Sequence, residues 1–517
     1  MPSHAGARPK RWGCGCALLA VVLVAVSNGS VPTPSHYGLI PPGVAEADVV
    51  GQAARIAPTP VQLAWQEREF IAFAHFGMNT FTDVEWGTGR EDPARFNPTD
   101  FDARQWARVL RDTGMRLLIL TAKHHDGFCL WPTDTTTHSV RSSPWRGGRG
   151  DVVGEVAAAC REAGLAFGIY VSPWDRHEPS YGDSPRYNAF FRAQLRELLS
   201  RYGEIAEVWF DGACGEGPDG RRQTYDWPSY YAVVRELQPQ AVIFGMGPDV
   251  RWVGTETGVG RETEWSVIPD RLDLGRLAGA TAHPVDAAFI PGDLTDADLG
   301  SRARLRTAAS LLWYPAEADV SIRPGWFFHP AENSRVKTPA ELLDIYFSSV
   351  GRNAVLLVNV PPDRRGRIHD ADIRSLHRLR RLLDDTFRDN RLAGAFASAP
   401  AAPGHGAANV LDADPATYWS PSEDATSTVL EFELTEARTF DVAMVREHIR
   451  LGQRVEAFRL EWRNDRGAWR EFARGATVGY QRLLRFAPVR ARTVRLVIES
   501  SRARPAISAV GLFTLAK

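Results

Sequence analysis

From about residue 65 to residue 385 the chain alternates short runs that are apolar at nearly every position with longer stretches whose apolar positions recur every three or four residues. The short runs are FIAFAHFG (70–77), RLLILTAKHHDG (116–127), AFGIYVSPWD (166–175), AEVWFDG (206–212), AVIFGMG (241–247) and AVLLVNVPPD (354–363). Between them, TDFDARQWARVLRDTG, DVVGEVAAACREAG, YNAFFRAQLRELLSRYG and PSYYAVVRELQP read as helices, the first with Thr99 or Asp100 as its N-cap and Gly114 as its stop. Strands that are apolar on both faces and separated by helices predict a parallel sheet. A repeat of roughly 40 to 50 residues suits a (β/α)8 barrel. The alternative, an open doubly wound sheet, would carry a glycine fingerprint after its first strand, where this chain has HFGMNTF.

The texture changes after RLAGAFASAPAAPGHGAAN (391–409), a small-residue stretch expected as a linker over residues 391–408. Beyond it TVLEFEL, TFDVAMVREHI, VEAFRLEWRN, RLLRFAPV and RTVRLVIES alternate without a helical period, which predicts an all-β sandwich over 409–517. At the other end Arg8, Lys10 and Arg11 precede the apolar run ALLAVVLVAV (17–26) and the small, polar SNGS. That is the pattern of an export signal over residues 1–30, its apolar run being about half the roughly 20 residues of a membrane span. The expected organisation is leader, barrel over 55–390, linker and sandwich, in a protein that is secreted or held in the cell envelope and has no membrane contact once the leader is removed.

Charge and composition narrow the partners. The 61 basic and 62 acidic residues leave a formal charge of -1, so no global field gathers nucleic acid or an anionic membrane. Sixteen tryptophans offer flat faces of the kind that suit sugar rings, although most tryptophans in any fold are core. Behind the leader stand Cys129, Cys160 and Cys214, an odd number without metal-type spacing, so neither a disulfide framework nor a zinc site is expected.

Several strand ends carry groups that an apolar strand does not need: His75, the pair His124 and His125, Trp174, Asp211, and an acidic cluster in RWVGTETGVGRETEW. Each alone reads as a packing or capping residue. A barrel gathers such ends on one rim, and together they are costly to bury without a ligand. Metal chemistry is disfavoured because His124 and His125, adjacent on an extended segment, would point to opposite sides. The Gly-x-Ser-x-Gly elbow of a serine hydrolase is missing. Two carboxylates acting on a glycosidic bond use Asp211, a second acid and the aromatic faces.

The ordered motifs AFAHFGMNTFTDVEWG, LTAKHHDGFCLWPT, YVSPWDRHEPSYG, EVWFDGACGEG, RWVGTETG, ETEWSV, EADVSIRPGWFFHP and SVGRNAVLLVNVPPDRRG resemble the α-L-fucosidases of glycoside hydrolase family 29. They are most similar to the subgroup that removes α-1,3/1,4-linked fucose. The resemblance covers about residues 60–385. It implies a retaining hydrolase with Asp211 as nucleophile and Glu256 as acid/base, Glu262 and Glu264 being the competing acids. It further implies substrate contacts from His75, Glu85, Trp86, His124, His125, Tyr170, Trp174, Trp265 and Trp326, a fucosylated oligosaccharide or glycoconjugate as partner, and no cofactor. The stretch NVLDADPATYWSP (409–421) is similar to the loop that opens discoidin-like, galactose-binding sandwiches, where Asp412 or Asp414 would hold a structural calcium. The competing reading from another class is a non-catalytic fucose-binding protein, and within the enzyme class an α-L-fucosidase of broader linkage specificity.

Overall fold

The computed structural model describes residues 35–279, 283–291, 294–412 and 414–517, so the export leader expected over 1–30 lies outside the described residues. Eight parallel strands make the first layer: β1 (Phe70–Ala74), β2 (Leu117–Lys123), β3 (Ala166–Val171), β4 (Glu207–Phe210), β5 (Val242–Gly245), β6 (Arg251–Trp252), β7 (Ala316–Ser321) and β8 (Ala354–Asn359). They pair in sequence order, except at β5 and β6, and β8 lies beside β1. The gap between β5 and β6 is spanned by a single bridge, Phe244 to Val250. Residues 246–250 are too few for the crossover that a parallel ladder requires. Gly245, at φ 75°, turns the chain there, and its N–H donates to the Val250 carbonyl at 3.1 Å. The fold is therefore the near-closed barrel that the alternation predicted.

The strands read as apolar throughout because both faces are covered. Ile71, Phe73, Leu117, Ile119, Val355 and Leu357 fill the barrel, while Ala72, Leu118, Leu120 and Leu356 pack in the outer layer with the helices. The helix expected from Thr99 or Asp100 begins later, as Ala103–Asp112, and its cap is Asp102, whose carboxylate accepts the Gln105 N–H at 2.9 Å. Asp100 is drawn away by Arg367, 2.7 Å from its carboxylate.

Strands β6 and β7 escape the hydrophobic pattern. β7 reads AEADVS, and alternation turns Glu317, Asp319 and Ser321 to one face. Three indoles meet three buried carboxyls there: Trp65 Nε1 donates to Glu207 at 2.8 Å, Trp209 Nε1 to Glu317 at 3.0 Å, and Trp252 Nε1 to Asp319 at 2.8 Å. Burial pushes the Glu207 carboxyl up to about 7 and Asp319 up to about 8. Glu317 is pushed well above the usual carboxylate range, by burial and then by the charge of Glu207, and the second oxygens of both acids, Glu207 Oε1 and Glu317 Oε2, are buried without another partner among the described residues. One proton shared between Glu207 and Glu317 satisfies both without a buried charge pair.

The second layer is an antiparallel sandwich. Its sheet runs Phe396–Ser398, Thr428–Glu447, Arg482–Ser501, Val455–Arg463, Trp469–Gly475, and Ile507–Phe513 pairs with the far part of Thr428–Glu447. Phe396–Ser398 falls inside the segment expected as a linker. Ala395, Ala397, Ala399 and Ala401 alternate onto the sandwich core and Leu392 is buried in it, so a small-residue strand, not a loose connection, joins the domains.

Barrel and sandwich form one compact unit. Gln453 of the sandwich accepts the Ser266 N–H at 2.7 Å and donates to the Glu264 carbonyl at 3.0 Å, and Asn353 Nδ2 donates to the same carbonyl at 3.1 Å. Arg446 and the Tyr480 hydroxyl hold Glu69 at 2.7 and 2.9 Å. Among the described residues no helix is long and apolar enough to cross a membrane.

The buried acids set a pH dependence. Carboxyls held protonated in the fold are ionised in the unfolded chain, so their contribution is complete below their ordinary values of 3.8 and 4.5 and is lost as pH rises through about 7 to 8. Urea midpoints should decline from about pH 7 to about pH 8.5, above the range in which the unfolded chain's histidines take up protons. Glu317→Gln should flatten the decline by removing one acid of the coupled pair. A wild-type midpoint that rises over this range would contradict the assignment.

Candidate active site

The C-terminal ends of β1 to β4 and β6 to β8 deliver the polar groups. Asp211 follows β4 directly. Its Oδ2 accepts the Tyr170 hydroxyl at 2.9 Å and its Oδ1 the Ala213 N–H at 2.7 Å, and a quarter of the side chain stays open to solvent. Burial, then the charge of Asp211, pushes the Tyr170 phenol far up, so it stays a donor. The nucleophile expected from the sequence is thus a carboxylate held by two neutral donors.

Three imidazoles line the same mouth, His124 packed between His75 and His125, and each is fixed by one partner. The Asn359 amide oxygen takes both the His75 backbone N–H at 3.1 Å and Nδ1 at 2.9 Å, so Nδ1 is the donor and Nε2 is bare. Asn79 Nδ2 reaches His124 Nδ1 at 3.4 Å, which makes Nδ1 the acceptor and leaves the proton on Nε2. The Ser172 hydroxyl donates to the Trp174 carbonyl at 2.7 Å and therefore accepts from His125 Nδ1, also at 2.7 Å. His125 Nε2 then faces Asp211 Oδ2 at 3.9 Å. Burial holds all three below the usual histidine range, His75 at about 3.

His124 and His125 do not diverge as adjacent residues of an extended strand would. Their ring centroids are 4.1 Å apart. The register of β2 against β3 shifts between Thr121 and Lys123, and the chain then turns, with the Gly127 N–H donating to the His124 carbonyl at 3.0 Å. Among the described residues no group of three or more His, Cys, Asp or Glu side chains could hold a metal ion. In the sandwich loop, Asp412 accepts the Asp414 N–H and the Thr417 hydroxyl, and Asp414 accepts the Ala416 N–H.

Glu256 stands exposed in a loop pinned to β7 at both ends. The Val253 N–H donates to the Glu317 carbonyl and the Gly258 N–H to the Asp319 carbonyl, each at 2.9 Å. The Trp326 indole donates to Glu256 Oε2 at 3.1 Å. The competing acids are tied down elsewhere. Glu264 is buried on Arg251 and on the Arg261 N–H, and Glu262 is bound by Arg352 and Arg482.

Aromatic residues wall the mouth. Trp326 lies 5.1 Å from His75, and Trp174 lies 5.0 Å from His125 with its indole N–H on the Glu216 carbonyl. Trp86, 59 % exposed, stands edge-on to Trp174 at 5.6 Å. Glu85 accepts the backbone N–H groups of Trp326 and Phe327 at 3.0 and 3.2 Å. Trp265, expected among these platforms, is not one of them. It is 4 % exposed, and the sandwich residue Arg502 lies over its ring at 3.4 Å, so its face is occupied by a guanidinium.

Sequence reasoning missed Asn79, Ser172, Asp319, His329 and Asn359. Each is a polar residue inside or just beyond an apolar motif, Asn359 in VLLVNVPPD being the clearest. Nothing in the sequence marks them as partners of particular histidines. The set as built offers a half-buried carboxylate and an exposed one, neutral imidazoles with both donor and acceptor nitrogens, and indole faces, which is what recognition of a polyhydroxylated ring needs.

Asn359→Leu should remove the acceptor of the His75 N–H and Nδ1 and the donor to the Trp326 carbonyl, while the Ser321 hydroxyl keeps its bond to the Gly325 carbonyl. A loss of about 2–4 kcal/mol in urea denaturation is expected. A change within about 0.5 kcal/mol would mean that water replaces the amide fully.

Residues 80–385 match the family model for alpha-L-fucosidase, and residues 395–510 that for the F5/8 type C domain, the discoidin-like sandwich. Alpha-L-fucosidase 1 of Arabidopsis thaliana is 43% identical over 464 residues, covering 88% of this chain and 87% of its own. The crystal structure of a candidate alpha-L-fucosidase from Bacteroides ovatus superposes with a TM-score of 0.81 at 47% identity, over 93% of this chain and 78% of that one. A Ruminococcus gnavus fucosidase of the same family, solved in complex with fucose, superposes with a TM-score of 0.78 at 32% identity, over 89% of this chain and 95% of that one. With a family match over more than half its length and this barrel mouth, the chain belongs to the α-L-fucosidases of glycoside hydrolase family 29.

Proposed function

We propose that this chain is an exo-acting, retaining α-L-fucosidase that releases terminal α-1,3/1,4-linked L-fucose from glycans outside the cytoplasm, delivered there by its leader. The observation that carries the chemistry is Asp211, hydrogen-bonded by Tyr170 and the Ala213 N–H yet still open at the mouth. Glu256 and Asp211 are joined through packed rings: Trp326, which donates to Glu256, lies 5.1 Å from His75, and His75 lies 6.1 Å from Tyr170, which donates to Asp211.

In the first step Glu256 gives its proton to the glycosidic oxygen as an Asp211 oxygen bonds to the anomeric carbon and the bond to the leaving sugar breaks. In the second, Glu256 takes a proton from water, which attacks the same carbon and frees Asp211. The bare Nε2 atoms of His75 and His125 accept sugar hydroxyls and His124 Nε2–H donates to one. The indoles of Trp86, Trp174 and Trp326 suit the apolar face and the methyl group of a 6-deoxy sugar. The linkage rests on the motif resemblance and is tested by presenting Lewis-type trisaccharides, 2'-fucosyllactose and an aryl α-L-fucoside and measuring released fucose.

Asp211→Ala should lower turnover by at least about 1000-fold, with azide partly restoring cleavage of an activated fucoside to give an inverted product. Near-normal turnover would remove Asp211 from the mechanism. Glu256→Ala should lose most activity on the trisaccharide, whose leaving group must be protonated, while still forming the glycosyl-enzyme from a dinitrophenyl fucoside. The same selective pattern in Glu262→Ala or Glu264→Ala would move the acid/base role there.

A further inference from the structure

We propose that His329 is a positioning residue of this site, a doubly bound imidazolium that locks Glu85 and, through it, the segment that carries Trp326, so that affinity for the sugar depends on its charge. This rests on the fucosidase reading only for the identity of the sugar.

His329 has a carboxylate on each ring nitrogen. Nε2 lies 2.6 Å from Glu85 Oε1 and Nδ1 lies 2.9 Å from Asp83 Oδ1. An ionised carboxylate accepts but cannot donate, so both contacts are hydrogen bonds only when both nitrogens carry protons. A neutral ring keeps one of them and turns a lone pair toward the other carboxylate. Only 18 % of the side chain is exposed, so the ring itself is held in place between the two carboxylates.

The charged groups facing the ring favour the cation. Asp83, Glu85 and Glu332 are acidic, while Arg364 approaches the same Asp83 oxygen, Oδ1, at a longer 3.6 Å. Burial alone lowers the imidazole's affinity for its proton, but the bonds to Asp83 and Glu85 outweigh it and leave the group above its ordinary value. It is thus unlike His75, His124 and His125, which burial keeps neutral.

What the cation holds reaches the reacting groups. Glu85 Oε1 takes the Phe327 N–H and Oε2 the Trp326 N–H, so orienting Glu85 orients the backbone that presents Trp326. Trp326 packs against His75 and donates to Glu256. Gly325 makes the approach possible, since a Cβ there would lie 2.5 Å from Glu85 Oε1 and 2.9 Å from the His329 ring. Loss of the proton at His329 therefore loosens the sugar-binding loop and the Trp326 segment together, with no group at the anomeric carbon removed.

The test reads the ring and the sugar separately. Histidine-selective NMR on the full chain, with the His329 signal assigned by its loss in His329→Gln, should show titration above 6.5, the ordinary histidine value. Across that titration the KM of an aryl α-L-fucoside, or the Kd of L-fucose by calorimetry, should rise about tenfold, with kcat changing less than about threefold. Asp83→Asn, which asparagine tolerates at the left-handed φ of 64°, should move both the NMR titration and the KM rise to lower pH. His329→Gln should show the weak affinity at every pH and no rise. A His329 titration below 6.5, or a KM rise that persists unmoved in both variants, overturns the proposal. A chain that hydrolyses no fucoside and binds no fucose, while His329 titrates as expected, instead overturns the fucosidase reading.

Discussion

The carboxamide of Asn359 makes closing the barrel and shaping its mouth a single constraint. It sits at the end of β8, where a polar side chain must either be paired or carry the cost of burial. All four of its hydrogen-bonding positions are used: the oxygen takes the His75 N–H and Nδ1, and the nitrogen gives to the Ser321 hydroxyl at 2.9 Å and the Trp326 carbonyl at 2.7 Å. Those partners belong to the turn after β1, to β7 and to the loop that follows β7. An aspartate would lose both donors and a glutamine would place them a methylene too far. The same amide that locks three adjoining elements also fixes which nitrogen of His75 faces the ligand.

Neutrality of the imidazoles follows from that construction and matters for the reaction. Each ring gives or takes one internal hydrogen bond at Nδ1 and none pairs with an anion closely enough to hold a proton against burial, His125 being 3.9 Å from Asp211. None of the three imidazoles therefore puts a cation beside Asp211. Tyr170 and the Ala213 N–H orient it with neutral hydrogen bonds, an arrangement that suits the nucleophile proposed above. Charge is concentrated instead at His329, where it binds Asp83 and Glu85.

The apolar runs gave away β1 to β5 and β8 because each is covered on both faces, and the strand-end histidines and Asp211 were legible because they interrupt those runs. β7 was not, since Glu317 and Asp319 alternate in a segment that reads as half-exposed. Their burial is tolerable only because Trp209, Trp252 and a shared proton satisfy them, and those partners lie in other parts of the sequence. The joint orientation of His124 and His125 was illegible for a local reason, the register shift in β2 followed by a turn. Trp265 misled because type and motif gave no hint that Arg502, far along the chain, would cover it. What periodicity carries is the face of an element; what it omits is the partner across the fold.

The sandwich explains why three acids within one short stretch have three different environments. Its Gln453 holds the backbone at Glu264 and Ser266, its Arg482 holds Glu262, and its Arg502 covers Trp265. Residues 262–266 are thereby fixed between the two domains, with Glu264 turned inward to Arg251. On the other side of the stretch, β7 fixes Val253 and Gly258 through two backbone hydrogen bonds. Glu262 is exposed as well, but Arg352 and Arg482 bind it, whereas the carboxylate on the arch between those bonds, Glu256, has the Trp326 indole as its partner. A domain far along the chain thus acts on the site by fixing the far end of the loop, which leaves to Trp326 the task of orienting the acid on the arch.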